Sequence, residues 1–248
     1  MPSFSSAEGT FSYLDEGSGE PMVLVHGFAS SARVNWLDTG WVDWLVRAGY
    51  RAIALDNRGH GGSVKLHAPE DYRLEKMAGD VEALIDHLGL MRVRAIGYSM
   101  GARILLQFAI DRSKRLEKLV LGGIGGTMVK AGLDRERIAT ALLSPSIDTI
   151  DDPVGRSYRL FAEQTQSDKD ALAACIRGYG RPLSPEEAAR IDTPTLIAVG
   201  TKDVVAGSAT DLAAMIPGAE VLDIPNRDHM RATGDKIFKE GVVGFLAR

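Results

Sequence analysis

The sequence predicts an α/β fold, a mostly parallel sheet flanked by helices, and three observations predict it. Six short, β-rich apolar runs recur along the 248-residue chain. Helical patterns long enough for crossovers separate them, which is what parallel neighbours require. One stretch, 127–190, holds helix starts but no strand, and reads as a small helical cap inserted into the α/β domain.

Phe11 to Glu16 opens the chain as an antiparallel edge, between turn signals at Gly9 and at Gly17-Ser18-Gly19. Pro21 to Val25 and Arg51 to Leu55 are continuous apolar runs, the pattern of strands buried on both faces. From Arg73 to Leu88 the residues Leu74, Met77, Val81, Leu84, Ile85 and Leu88 recur at helical spacing, and Gly89 supplies the stop. Arg92 to Gly97 is the next strand, and Met100 to Ile110 is a helix apolar enough to lie under the sheet. Leu116 to Gly122 follows as a strand. Within the insertion, helices start at Asp152-Pro153, at Ser167 with Asp170, and at Ser184-Pro185 with Glu187 as a capping box. Thr195 to Val199 and Glu220 to Ile224 resume the buried strands, and Ile237, Phe238, Val242, Phe245 and Leu246 mark a terminal helix. The core domain is therefore expected at 1–126 and 191–248, with the cap at 127–190.

Composition narrows the partners. Lys plus Arg is 29 and Asp plus Glu is 33, a net charge of −4, and no basic cluster exceeds Arg112-Ser113-Lys114-Arg115. A nucleic-acid binder would show a basic excess or stripe, so no nucleic acid is expected. The single Cys175 forms no internal disulfide and no Cys-x-x-Cys pair. The first residues lack a basic and apolar leader, and no uncharged apolar run reaches membrane length, so a cytoplasmic protein without membrane contact is expected. Gly122-Gly123-Ile124-Gly125-Gly126 suggests a dinucleotide loop, but the third glycine of that motif falls on Met128. With no phosphate loop and no zinc motif either, neither cofactor nor metal is expected. No heptad or apolar stripe decides between monomer and homodimer.

The chemistry is carried by dispersed segments. Gly97-Tyr98-Ser99-Met100-Gly101 stands between a buried strand and an apolar helix, where a Gly-x-Ser-x-Gly elbow exposes a serine on a sharp, strained turn. A serine hydroxyl needs a base, and the base an orienting carboxylate. Of five histidines, His67 and His87 read as surface residues, while His26 and His60 sit in glycine-flanked turns. His229 follows the last strand, in a loop at the carboxyl edge where open α/β sheets place their chemistry, and is the expected base. Two carboxylates compete for the third role. Asp203 follows the strand Thr195 to Val199 at the same edge, whereas Asp228 adjoins His229 and would point elsewhere, so Asp203 is preferred. The order Ser99, Asp203, His229 is that of this elbow type. The Met100 N–H, next to the nucleophile, and the Phe28 N–H, in His26-Gly27-Phe28-Ala29-Ser30, are the expected oxyanion donors. His26 reads as a brace for that loop.

Together the His26-Gly27-Phe28 loop, Asp56-Asn57-Arg58-Gly59-His60-Gly61-Gly62-Ser63, the elbow, Asp203 and His229 resemble the α/β-hydrolase superfamily. The likeness is to its lidded esterase and haloperoxidase-like members, and runs from about Phe11 to Leu246. It implies an eight-stranded sheet, a catalytic triad of Ser99, Asp203 and His229, and a cap over the site. It also makes the Asp56 to Ser63 segment architectural. Serine at 99 sets the chain apart from the dehalogenases and epoxide hydrolases of the superfamily, which use aspartate there. The implied activity is that of a serine esterase acting on a small-molecule ester, uncharged and with an apolar acyl or alcohol group. Trp36, Tyr98, Met128, Tyr158 and Phe161 are the candidate pocket residues. Lactone hydrolysis, carbon–carbon bond hydrolysis, perhydrolysis and a ligand-sensing role are the alternatives the same residues would serve.

Overall fold

A computed structural model describes residues 1–128 and 134–248 of the chain. In chain order the strands are β1 (Ser3–Ser6), β2 (Gly9–Glu16), β3 (Glu20–Val25), β4 (Tyr50–Leu55), β5 (Val93–Tyr98), β6 (Leu116–Gly122), β7 (Thr195–Gly200) and β8 (Glu220–Ile224). The helices are α1 (Trp41–Arg47), α2 (Leu74–His87), α3 (Met100–Arg112), α4 (Arg135–Leu143), α5 (Pro153–Gln164), α6 (Lys169–Gly178), α7 (Pro185–Ala188), α8 (Ala209–Ala213), α9 (His229–Ala232) and α10 (Lys236–Leu246). None of these helices is long and apolar enough to cross a membrane.

The strands form one eight-stranded sheet in the order β1-β2-β4-β3-β5-β6-β7-β8. β1 and β2 pair antiparallel at one edge, and every pairing from β4 to β8 is parallel. This is the α/β-hydrolase fold. The continuous apolar strands acquire their meaning here, because alternate residues enter two cores. Val23, Val25, Ile53, Leu55, Ala95, Leu119, Leu121, Ile197 and Val199 face the side covered by α2, α3 and α8. Met22, Leu24, Ala52, Ala54, Ile96, Val120, Leu196 and Ala198 face the side covered by α1 and α10. A strand buried on both faces has no polar alternation to show.

Some elements differ from expectation. β8 is an edge strand with only Ile224 fully buried, rather than a strand covered on both faces. β1 and α1 carry no signal long enough to read, at four and seven residues. The α6 helix is capped by Asp168, which accepts from the Ala171 N–H, because the Ser167 hydroxyl bonds Thr165 instead. The capping box at Ser184 and Glu187 forms as read.

Between β6 and β7 the described residues hold four helices, α4 to α7, and no strand. Their apolar faces do not form a separate core. Ile138, Leu142, Leu172 and Ile176 are continuous with Phe28, Met100 and the core beneath the sheet.

Candidate active site

Because β5, β7 and β8 run parallel, the residues after them emerge at one edge of the sheet. Ser99 leaves β5 at φ 54° and ψ −112°, a strained conformation costing on the order of 1–3 kcal/mol for a non-glycine residue. The elbow leaves no room beside it. A Cβ on Gly101 would lie 1.9 Å from the Val25 carbonyl oxygen, and one on Gly97 would lie 2.5 Å from the Gly101 oxygen. The glycines thus serve close approach of helix and strand, and α3 begins at once.

Ser99 Oγ is 2.9 Å from His229 Nε2, and His229 Nδ1 is 2.7 Å from Asp203 Oδ2. A carboxylate only accepts, so Nδ1 carries the imidazole proton and Nε2 accepts from the serine hydroxyl. The second Asp203 oxygen accepts from the Val205 and Ala206 N–H groups at 2.9 and 2.8 Å, which fixes a fully buried carboxylate. Asp228 is the N-cap of α9, accepting from the Arg231 N–H, and does not meet the ring. Tyr98 donates its hydroxyl to the His229 carbonyl and so ties His229 to the strand that precedes Ser99. Burial raises the Tyr98 hydroxyl well above its ordinary value, which keeps it a donor.

The loop after β3 is held by neutral histidines. His26 donates Nδ1–H to the Gly27 carbonyl at 2.7 Å and accepts from the Asn57 N–H at 3.0 Å. His60 donates to the Arg58 carbonyl and accepts from the Ala29 N–H at 3.1 Å. Burial lowers His26 to about 4, against its bond to the Gly27 carbonyl. Burial and then the neighbouring His26 lower His60 to about 3. Asp56 closes the web through the Ala32 and Gly62 N–H groups at 2.7 and 2.8 Å. Between these ties the Phe28 N–H, like that of Met100, meets no acceptor among the described residues. Both are thus available to a developing oxyanion.

Two cavities flank the serine. The first, about 220 Å³, is lined by Phe28, Val34, Asn35, Tyr98, Tyr158, Phe161 and Met230 beside Ser99 and His229. The second, about 210 Å³, shares Phe28, Ser99 and Tyr158 and adds Met100, Arg103, Arg135, Tyr179 and Val205. Tyr98, Tyr158 and Phe161 therefore line the site, and the Met128 side chain lies outside the described residues. Trp36 is a correction. It is fully buried in the core on the α1 side of the sheet, edge-on to Trp41 at 5.9 Å. Its helical turn, Arg33–Leu37, aims Val34 and Asn35 at the cavity and Trp36 away from it. Asn35 had no motif to announce it, yet its Oδ1 accepts from the Gly27 N–H at 3.0 Å.

A family model for the alpha/beta hydrolase fold matches residues 20–145. A non-heme haloperoxidase of Rhodococcus erythropolis is 28% identical, covering 94% of this chain and 94% of its own length. A 2-hydroxy-6-oxo-6-phenylhexa-2,4-dienoate hydrolase of Comamonas testosteroni is 35% identical over 46% of this chain and 40% of its own. Among solved structures, a bromoperoxidase from Bacillus anthracis superposes with a TM-score of 0.80 at 26% identity, covering 96% of both chains.

Proposed function

The chain belongs to the alpha/beta hydrolase fold family, and from that premise we propose that it is a serine esterase, cleaving small to medium carboxylic esters with a mainly apolar acyl or alcohol part. The observation that carries this reading is the continuous hydrogen-bonded line from Ser99 through His229 to Asp203, set on a strained elbow between two cavities. Ser99 Oγ attacks the ester carbonyl carbon while His229 Nε2 takes its proton, and Asp203 stabilises the resulting imidazolium. The Phe28 and Met100 N–H groups bind the tetrahedral oxyanion. The intermediate collapses, the alcohol leaves with the proton from His229, and an acyl-enzyme remains. Water, activated by the same nitrogen, then releases the acid. The predominantly apolar first cavity supports an apolar group at one end of the ester.

Ser99→Ala should lower turnover of p-nitrophenyl butyrate by up to about a million-fold, and Asp203→Asn should cost far more than Asp228→Asn. Unchanged turnover in Ser99→Ala would end the reading, and the reverse aspartate ranking would move the third role to Asp228. The likeness to a carbon–carbon bond hydrolase favours a second reading, in which the same three residues act on a dienoate ketone. A substrate panel including lactones and such a ketone separates the two. A single burst without turnover would instead favour a sensor. As an esterase of this kind, the protein would work in the cytoplasm on a small molecule, with no cofactor, metal, nucleic acid or membrane.

A further inference from the structure

The second cavity is lined by two guanidinium groups without a counter-ion among the described residues. Arg103 lies on α3 four residues after Ser99, hence on the same helix face, and its N–H donates to the Ser99 carbonyl at 3.1 Å. Its Nη1 is buried with no acceptor among the described residues. Arg135, the first residue of α4, donates Nη1–H to the Gly180 carbonyl at 2.9 Å and lies over the Tyr179 ring at 5.5 Å, but its Nε is likewise buried without an acceptor among the described residues. Neither forms an ion pair among the described residues, and the stretch 129–133 contains no acid.

Such an arrangement is costly unless something completes it. Burying a cation without a partner is strongly unfavourable, and removal of hydrogen-bond partners leaves the desolvation penalty uncompensated. Arg103 and Arg135 are half-buried, with one nitrogen of each shut off from solvent, whereas the buried arginines Arg58 and Arg159 are paired, with Asp80 and Glu163. Burial pulls Arg103 below its ordinary value, opposed by Tyr179 and reinforced by the charge of Arg135, yet an arginine remains a cation at neutral pH. A carboxylate matches the fork of a guanidinium and neutralises it.

We propose that this cavity binds a carboxylate carried by the substrate, held by Arg103 and Arg135, while the first cavity takes the apolar remainder. The inference rests on the esterase reading and departs from the uncharged substrate expected from sequence, because a lone arginine inside an apolar helix belongs to no motif. The substrate class becomes half-esters of dicarboxylic acids, or esters whose alcohol part bears an acid.

Two matched pairs test it. One is p-nitrophenyl hemiglutarate against p-nitrophenyl butyrate, with the acid on the acyl part. The other is 4-acetoxybenzoate against phenyl acetate, with the acid on the alcohol part. Wild-type kcat/KM should favour the carboxylated member of one pair by about tenfold or more. In Arg103→Met, and separately in Arg135→Met, that ratio should fall toward one, while Arg103→Lys should keep part of it. A wild type with no preference in either pair, or variants that lower both members equally, would overturn the proposal. Binding keeps it separable from the esterase reading. Calorimetric titration of Ser99→Ala with glutarate and with benzoate should show saturation by at least one, lost when Arg103→Met is added. If no ester turns over and that binding is present, the esterase reading and the ester class fail while the carboxylate site at Arg103 and Arg135 stands. If esters turn over and neither acid binds, this one fails alone.

Discussion

At position 101 a single methyl group would fall 1.9 Å from the Val25 carbonyl oxygen, on backbone that cannot yield without moving the turn at Ser99. Gly101→Ala should therefore cost at least about 1–3 kcal/mol, by the overpacking of a filled interior. Gly79, inside α2, makes the opposite case, since a Cβ there meets nothing within 4 Å. Gly79→Ala should stabilise by about 0.5–1 kcal/mol through helix propensity. Urea midpoints for the two variants check both signs, and a Gly101→Ala protein as stable as the parent would refute the packing account. The difference lies in surroundings, which two glycines in a sequence do not display. The same holds for the site. Ser99, Asp203 and His229 were legible because a motif and the edge of a parallel sheet constrain where they stand. Asn35, Arg103 and Arg135 were not, because one polar residue on a helix means little until its neighbours are known.

Among the elements, α4 and α5 are tied together by a single buried guanidinium. Arg159 on α5 donates to the carbonyls of Ala141, Leu142 and Ser144 at 3.3, 3.0 and 2.6 Å, at the end of α4, where only the Ala141 carbonyl also accepts from the capping Ser144 N–H. Arg159→Met keeps the length of the side chain but removes the donor from the Leu142 and Ser144 carbonyls. The expected cost is roughly 2–4 kcal/mol, confined to the α4–α5 pair. Limited proteolysis should then cleave first within residues 134–164, and a cleavage pattern identical to wild type would contradict this role. Legibility at this scale followed length and burial. The 14 residues of α2 show their face, and its Gly89 stop adopts φ +66°. β1, with Phe4 alone buried among serines, shows neither alternation nor an apolar run. For β8 the composition resembled that of its neighbours, but position at the sheet edge, a property of the assembled topology, left it exposed.

Across the whole molecule the most consequential buried charges are those the fold refuses to form. His26, lowered by burial to about 4, and His60, lowered by burial and His26 to about 3, join the loops that carry Phe28 and Asp56. Above pH 6.5 both rings are neutral in folded and unfolded chains and contribute nothing to pH dependence. Below 6.5 the unfolded chain takes up two protons that the folded one cannot, so stability falls with pH, by about 1.4 kcal/mol per unit for each ring. Asp80 acts in the opposite sense. Burial pushes it up to about 6 despite its bond to Arg58, so from about 6 downward the folded state holds the extra proton and recovers one such contribution. The balance is a net loss of roughly 2 kcal/mol between pH 6.5 and 5, above the range where ordinary carboxylates titrate. Urea unfolding at pH 7, 6.5, 6, 5.5 and 5 should show the midpoint constant at first and then falling. In His60→Gln, whose amide oxygen can accept from the Ala29 N–H, the remaining His26 contribution is offset by Asp80 and the decline should largely disappear. A wild-type midpoint flat to pH 5, or an equal decline in His60→Gln, would place the acid sensitivity elsewhere than in the loops that carry Phe28 and Asp56.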